Sequence, residues 1–407
     1  MIDTANPLDV KSPAVDRPEA PSAKPSAADI HQLTATIALL LIDKIGPRGL
    51  QALLSSAGSL TSLLAGQIDP QVVRALPAVA RQHLVGFLRN PEGSAYWEQA
   101  EHNLEWLAAA GGTLLSKWHP CFPQRLLELV DCPPILFALG NVEHLTKPMV
   151  SIVGARKPSP SGLRTATRFA RELADAGLCV GSGMALGIDT AAHYGALESS
   201  AATVAIWATG LDTPYPRSNH ALAEKLIAHG TVISEMPLGT PPLRGYFPRR
   251  NRIVAGISEA VVVIEAAQRS GSLITAQLAA EHNREVCAVP GPIERVTSQG
   301  CHQLIKQGAA LVESTEDIIN HLVGVRTLSI HSPSQGQTDI QRLKSERLAG
   351  LSQTLKEVYD LVESEAKPFE LIANQCALST EQLNMALIDL ELAGLVIASS
   401  GLYLRSE

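Results

Sequence analysis

Apolar positions along the chain change their period twice, and each change marks a boundary between kinds of structure. From residue 30 to about 88 they recur at helical spacing, most clearly in LTATIALLLIDKIGPRGLQALLSSAGSLTSLLAG. Lys44-Ile45-Gly46-Pro47-Arg48-Gly49 interrupts this run as a Gly/Pro turn between two helices. Such a turn can hold a DNA backbone through its amides, but one basic residue on each side favours a packing role. A further helix over 95–110 leads into GGTLLSKWHPCFPQRLLELVDCPPILFALGN, which reads as short strands and turns joining two domains.

From Met149 the rhythm becomes short β-branched runs alternating with amphipathic segments. MVSIVG, LCVGSG, ATVAIWATG, GTVISEM, AVVVIEA, EVCAVPG and AALVES are the predicted strands. The predicted helices lie near 161–176, 187–199, 218–229, 249–257, 272–283 and 301–307. Continuous apolar strands alternating with helices imply a doubly wound, Rossmann-like, mostly parallel sheet covered on both faces. Right-handed crossovers then bring every strand C-terminus to one rim, where ligands bind. Residues 324–346 are polar and read as a linker. Helices over 348–363, 368–376 and 379–393, followed by the hairpin LVIASSGLYLR, form a winged-helix pattern. The first 28 residues, rich in Pro, Ala and Ser, read as a disordered tail. The expected order is therefore tail (1–28), helical domain of the SAM or helix-hairpin kind (29–115), Rossmann-like domain (116–323, core 149–314), linker (324–346) and winged-helix-like domain (347–407).

Composition narrows the function. The 407 residues carry a formal net charge of −7, so no global field draws the chain to nucleic acid. A nucleic-acid site has to be a local concentration of Arg and Lys. Six cysteines without a C-x-x-C pair lie mostly in apolar segments, as core residues of a reducing compartment would. Asp3 and Asp9 stand where a signal peptide needs positive charge, and no apolar run approaches the ~18 residues of a membrane span. A soluble cytoplasmic protein without membrane contact is expected.

The strand-end loops carry the candidate chemistry. The first, Gly154-Ala155-Arg156-Lys157-Pro158-Ser159-Pro160-Ser161-Gly162, offers backbone N–H groups at a helix N-terminus, with Arg156 and Lys157 beside them. It lacks the G-x-G-x-x-G dinucleotide fingerprint, and no acidic residue closes the following strand. The second places Ser182, Gly183 and Gly187 before Asp189 and His193, four apart on one helical face. No nucleophile elbow or metal-ligand spacing accompanies that pair, so Asp189 is expected to cap the helix and orient His193. The fourth loop gathers Arg244, Arg249, Arg250 and Arg252 around Tyr246 and Phe247, with Asn251 among them. Basic residues interleaved with aromatics suit a single strand of nucleic acid. The fifth pairs Arg269 with a second Gly/Ser cradle, Ser270-Gly271-Ser272, and Glu265 at its strand end can hydrogen-bond loop amides. So many phosphate-friendly loops on one rim exceed the needs of one mononucleotide.

The runs VGARKPSPSG, SGMALGIDTAAH, ATGLDTPYPRSN, ISEMPLGTPP, FPRRNRIVAGIS, EAAQRSGSLITAQLA, AVPGPI and SQGCHQLIKQGA occur in this order. Together they closely resemble the DNA-processing protein A (DprA/Smf) family. The resemblance implies a protein without catalysis or cofactor that binds single-stranded DNA during natural transformation. It further implies shielding of that strand, loading of a RecA-type recombinase, and a homodimer formed through the α/β domain. Carried across by motif, the DNA-binding residues are Arg156, the loop from Ser182 to Gly187, and Arg250, Asn251 and Arg252; Ser270, Gly271 and Ser272 are added on loop chemistry. Leu186 departs from relatives that carry Lys in that loop.

The tail has the pattern of a DNA reader without its charge. Between Leu348 and Arg405 stand three basic residues (Lys356, Lys367 and Arg405) and eight acidic ones. Its presumed recognition helix, STEQLNMALIDLELAG, has no Lys or Arg, which favours protein contact over duplex binding. The α/β domain is also distantly similar to nucleoside-monophosphate phosphoribohydrolases. Those carry P-G-G-x-G-T-x-x-E, whereas RSGSLITAQLA has Gln277 and Leu278 where the catalytic Glu would be sought.

Overall fold

The computed structural model describes residues 27–199, 202–329, 352–362, 367–373, 375–376, 378–392, 396–399 and 402–405. Residues 1–26 of the expected tail and 330–346 of the expected linker lie outside them; residues 27–28 begin the first helix, and 324–329 are helical rather than linker. Two units result, dividing after Val325.

Six helices open the first unit: α1 (Ala27–Leu41), α2 (Gly46–Ala57), α3 (Leu60–Leu64), α4 (Pro70–Ala75), α5 (Ala78–Arg89) and α6 (Ala95–Ala109). The α1–α2 turn is the predicted one. It turns sharply because Lys44 and Gly46 both adopt left-handed backbone, at φ +67° and +57°.

The strands are β1 (Thr113–Ser116), β2 (Ile135–Gly140), β3 (Met149–Gly154), β4 (Cys179–Ser182), β5 (Thr203–Trp207), β6 (Thr231–Ser234), β7 (Ala260–Ile264), β8 (Glu285–Ala288) and β9 (Ala310–Leu311). They form one sheet in the order β1-β2-β6-β5-β4-β3-β7-β8-β9. The seven strands predicted from Met149 onward are its parallel part, joined by α7 (Pro160–Asp175), α8 (Ile188–Glu198), α9 (His220–His229), α10 (Tyr246–Ile257), α11 (Gly271–Glu281) and α12 (Gln299–Lys306). The order reverses between β3 and β7, which pair from Val150↔Ala260 to Gly154↔Ile264. That is the topological switch point, where ligands of such sheets bind.

Residues alternate faces as period 2 requires. Val150, Ile152, Val262 and Ile264 pack with Phe169 and Leu173 of α7, while Val153, Val261 and Val263 pack with Ile253 of α10. Phe169 is fully buried, worth about 1.5–3 kcal/mol. Helix α7 forms because Ser159 caps it, accepting a hydrogen bond from the Gly162 N–H at 3.1 Å, and Pro160 pre-sets its first turn.

The lead-in strands β1 and β2, read as joining the two domains, extend the sheet itself, β2 pairing antiparallel with β6 from Phe137↔Ser234 to Gly140↔Thr231. Ile135, Phe137 and Leu139 of β2 face the N-terminal helices and share a core with Trp207, Leu211 and Leu222. The N-terminal helices and the sheet are thus one compact unit. Helix α13 (Thr315–Ser329) follows the last strand of the sheet.

The second unit contains α14 (Gln353–Leu361), β10 (Lys367–Pro368), α15 (Phe369–Ala373), α16 (Thr380–Leu392), β11 (Val396–Ser399) and β12 (Leu402–Arg405). Its strands pair in the order β10-β12-β11 around a core of Val358, Ile372, Leu383, Leu387 and Val396. This is the predicted winged helix. Among the described residues no helix is long and apolar enough to cross a membrane.

Candidate nucleic-acid interface

The first two rim loops are braced against each other by close backbone packing. At Gly187 (φ +82°) a Cβ would sit 2.3 Å from the Ala155 carbonyl oxygen, so only glycine fits. The Ile188 N–H donates to that same carbonyl at 3.2 Å. Braced in this way, the loop exposes Arg156 and Lys157 to solvent. The Arg156 guanidinium lies 5.9 Å from the Phe247 ring centroid, and Phe247 lies 5.6 Å from Tyr215. A free cation and two neighbouring rings therefore meet where α10 begins. Sequence reasoning missed Tyr215, whose loop is distant along the chain.

Beneath this surface lies a buried polar layer. Asp189 accepts hydrogen bonds from the Gly183 and Ala185 N–H groups at 3.1 and 3.3 Å. Asn219 donates to the Met184 carbonyl at 3.0 Å and to Thr190 Oγ1 at 2.9 Å. Arg250 donates to the carbonyls of Gly183 and Ile206. A Cβ on Gly183 would lie 2.5 Å from the Arg250 guanidinium, which explains the glycine. The Ser182 hydroxyl donates to the Ile152 carbonyl at 2.7 Å and is fully buried. Burial raises the Asp189 carboxyl, opposed by Arg250, and pulls Arg250 down to about 10, opposed by Asp189.

Ser182, Gly183 and Arg250, expected at the DNA surface, are buried and build the rim from inside. Asp189 does not orient His193: its carboxylate organises the preceding loop, while His193 Nδ1 bonds Thr203 Oγ1 at 2.8 Å. The Thr203 hydroxyl also donates to the Val180 carbonyl at 2.9 Å, tying the ring to β4. Burial keeps this imidazole neutral, with its pKa pushed down to about 3.

Arg252 is likewise internal. It pairs with Glu235, lies 3.8 Å from Asp131 and is 6 % exposed. Arg249, a third exposed, bonds the other oxygen of Glu235 at 3.0 Å. Asp131 also pairs with the mostly exposed Arg48 of the α1–α2 turn at 3.1 Å. The turn expected to serve packing is therefore tied electrostatically to α10. Burial raises the Glu235 carboxyl, and Arg252 and Arg249 oppose that rise. Of the PRRNR residues, Arg249 and Asn251 reach the surface and Arg250 and Arg252 do not.

The loop after β7 closes the rim. Glu265 accepts from the Ser159 N–H at 2.7 Å and from the Ser159 hydroxyl, and Arg295 donates to it at 3.0 Å. At the start of α7 the Ser159 N–H is thus engaged by the chain's own carboxylate, and the Gly162 N–H by the Ser159 hydroxyl. The second cradle is open: Ser270 caps α11 through the Ser272 N–H at 3.3 Å, and Gly271 and Arg269 are exposed. Asn251 donates to the Gly271 carbonyl at 3.5 Å, bringing the fourth and fifth loops together. Among the described residues Arg156, Lys157, Arg244 and Arg269 form no ion pair. Gln277, at the site of the sought catalytic carboxylate, is exposed and bonds Glu281 at 2.9 Å.

A doubly wound sheet with a cation-bearing rim, joined in one chain to a winged helix, defines a narrow class of protein. Residues 113–323 match the family described as DNA recombination-mediator protein A, and residues 344–401 match the DprA winged helix domain. Over 313 residues the chain is 38 % identical to protein Smf of Escherichia coli K12, spanning 75 % of this chain and 80 % of that one. It is 44 % identical over 199 residues to DNA processing protein DprA of Streptococcus pneumoniae, spanning 49 % and 70 %. The X-ray structure of DNA processing protein A from S. pneumoniae superposes with a TM-score of 0.56 at 33 % identity, covering 70 % of this chain and 97 % of that one. The chain belongs to the DprA/Smf family of DNA recombination mediators.

Proposed function

We propose that this chain binds single-stranded DNA across the rim of its α/β unit, shields it and loads a RecA-type recombinase onto it, acting as a homodimer during natural transformation. The observation that carries the DNA-binding reading is the gathering of unpaired, exposed cations with a ring pair at the strand ends. Arg156, Lys157 and Arg269 supply charge for phosphates, Asn251 and Gly271 supply polar contacts, and Phe247 with Tyr215 offers flat surfaces for bases. Arg249 joins them by exchanging its tie to Glu235 for a phosphate. Arg250, Arg252, Ser182, Gly183, Gly187, Asp189 and His193 hold these groups in place. Family membership supports the reading of recombinase loading, dimerisation and a setting in transformation.

Fluorescence anisotropy with a labelled single strand and the corresponding duplex tests the DNA-binding reading. The single strand is expected to bind more tightly, with affinity falling as salt rises. Equal affinity for the duplex, or release of free base from nucleoside monophosphates, would overturn it. The second outcome would favour the phosphoribohydrolase-like reading.

A further inference from the structure

In doubly wound sheets the switch-point crevice at a helix N-terminus is where an anionic ligand ordinarily sits. Here the chain fills that position itself. Glu265, the first residue after β7, turns into the β3/β7 crevice with φ +54°, a left-handed backbone that non-glycine residues rarely adopt. Its side chain is about one-tenth exposed. Three donors converge on it: the Ser159 N–H at 2.7 Å, the Ser159 hydroxyl, and Arg295 Nη1 at 3.0 Å. The same Arg295 nitrogen lies 3.0 Å from Ser159 Oγ and 3.2 Å from Ser161 Oγ. At Gly162 a Cβ would come within 2.8 Å of the Glu265 carboxyl carbon, so the helix start is shaped around this group. An N–H, a hydroxyl, a guanidinium and a helix N-terminus aimed at one point are the donor set of an oxyanion site. The α11 N-terminus has a local Ser270 cap like that of Ser159 on α7, but among the described residues it receives no carboxylate from another strand.

We propose that Glu265 is a built-in anion that determines specificity. It occupies the phosphate position at the switch point and so excludes inorganic phosphate and the 5′-phosphate of free nucleotides from the crevice. By tying down Ser159 it also fixes the loop that carries Arg156 and Lys157 outward. The rim is thereby reserved for a polyanion lying across it and closed to a nucleotide end entering it. The inference goes beyond single-strand binding and does not depend on it, because its readout is inorganic phosphate.

The test uses the full chain in three forms: wild type, Glu265→Gly, which suits the left-handed backbone, and Glu265→Gln, which fills the crevice without charge. Each is melted by circular dichroism in sodium chloride and in inorganic phosphate at matched ionic strength. Glu265→Gly is expected to melt lower in chloride and to recover saturably with phosphate, as a ligand that binds only the folded state requires. If that variant is unfolded in chloride, phosphate is expected to refold it. Wild type and Glu265→Gln are expected to show no phosphate-specific shift. Binding of AMP to Glu265→Gly but not to wild type, by equilibrium dialysis, is the second expected result. A phosphate shift in wild type equal to that of Glu265→Gly, or a Glu265→Gly variant that responds to neither phosphate nor AMP, would overturn the proposal.

Discussion

Two parts of this chain have folds that read nucleic acid elsewhere, and their charges point in opposite directions. The α/β rim sets Arg156, Lys157, Arg244 and Arg269 outward with no carboxylate partner among the described residues. The winged-helix unit places Glu381, Asp389 and Glu391 on or within its α16 helix, which has no Lys or Arg, and exposes Met385. Phosphate neutralisation supplies most of the affinity for nucleic acid, so the rim is equipped for it and the winged helix is not. Fold supplies the platform and charge decides its use.

The rim itself divides into an outer layer that is free and an inner layer that is engaged. Arg250→Ala is expected to have the largest effect on stability, a loss of about 3–5 kcal/mol, because it removes the countercharge near the buried Asp189 and leaves the Gly183 and Ile206 carbonyls without their donor. Urea unfolding measures it, with Arg156→Ala, an outer residue, expected within about 0.5 kcal/mol of wild type. Equal losses in the two variants would erase the division. The double variant Arg156→Ala/Lys157→Ala is expected to weaken single-strand binding by roughly tenfold or more at low salt while leaving stability unchanged. Titration by anisotropy checks this.

The inner layer also has a pH signature. His193 is held neutral in the fold with its pKa near 3, below the ordinary 6.5. Its contribution to stability is therefore full above pH 6.5 and is lost as pH falls through the window from 6.5 toward 3. The slope is at most about 1.4 kcal/mol per pH unit. Denaturant unfolding between pH 7 and 5 should show this slope, and His193→Gln should flatten it. The smallest effect is expected from the tail: replacing Lys356, Lys367 and Arg405 together by Ala should change single-strand affinity by less than about twofold. A larger loss would place part of the DNA site on the winged helix.

Most of the fold was legible because β-branched runs and helical stripes are local signals. The seven parallel strands and six connecting helices stand where the pattern put them. β1 and β2 were harder, since the antiparallel pairing of β2 with β6 joins residues 91 to 97 apart, from Gly140↔Thr231 to Phe137↔Ser234. The identities of the rim arginines were also legible, but their depth was read too uniformly. Helix phase carried the missing signal: Arg250 shares a face with the buried Ile253, Val254 and Ile257 of α10. Its carbonyl partners, and the Glu235 and Asp131 that hold Arg252, come from other loops and leave no mark at its position. Glu265 was readable as a group that bonds loop amides, but not as the filling of the switch point, because that requires the pairing of β3 with β7.

The central claim is that exposed cations of the α/β rim make the phosphate contacts. Its most direct test is the slope of log affinity against log salt for a labelled single strand, in wild type, Arg156→Ala and Arg269→Ala. Each substitution is expected to reduce the slope by roughly 0.7, the value for one single-strand phosphate contact. An unchanged slope in both variants would contradict the account.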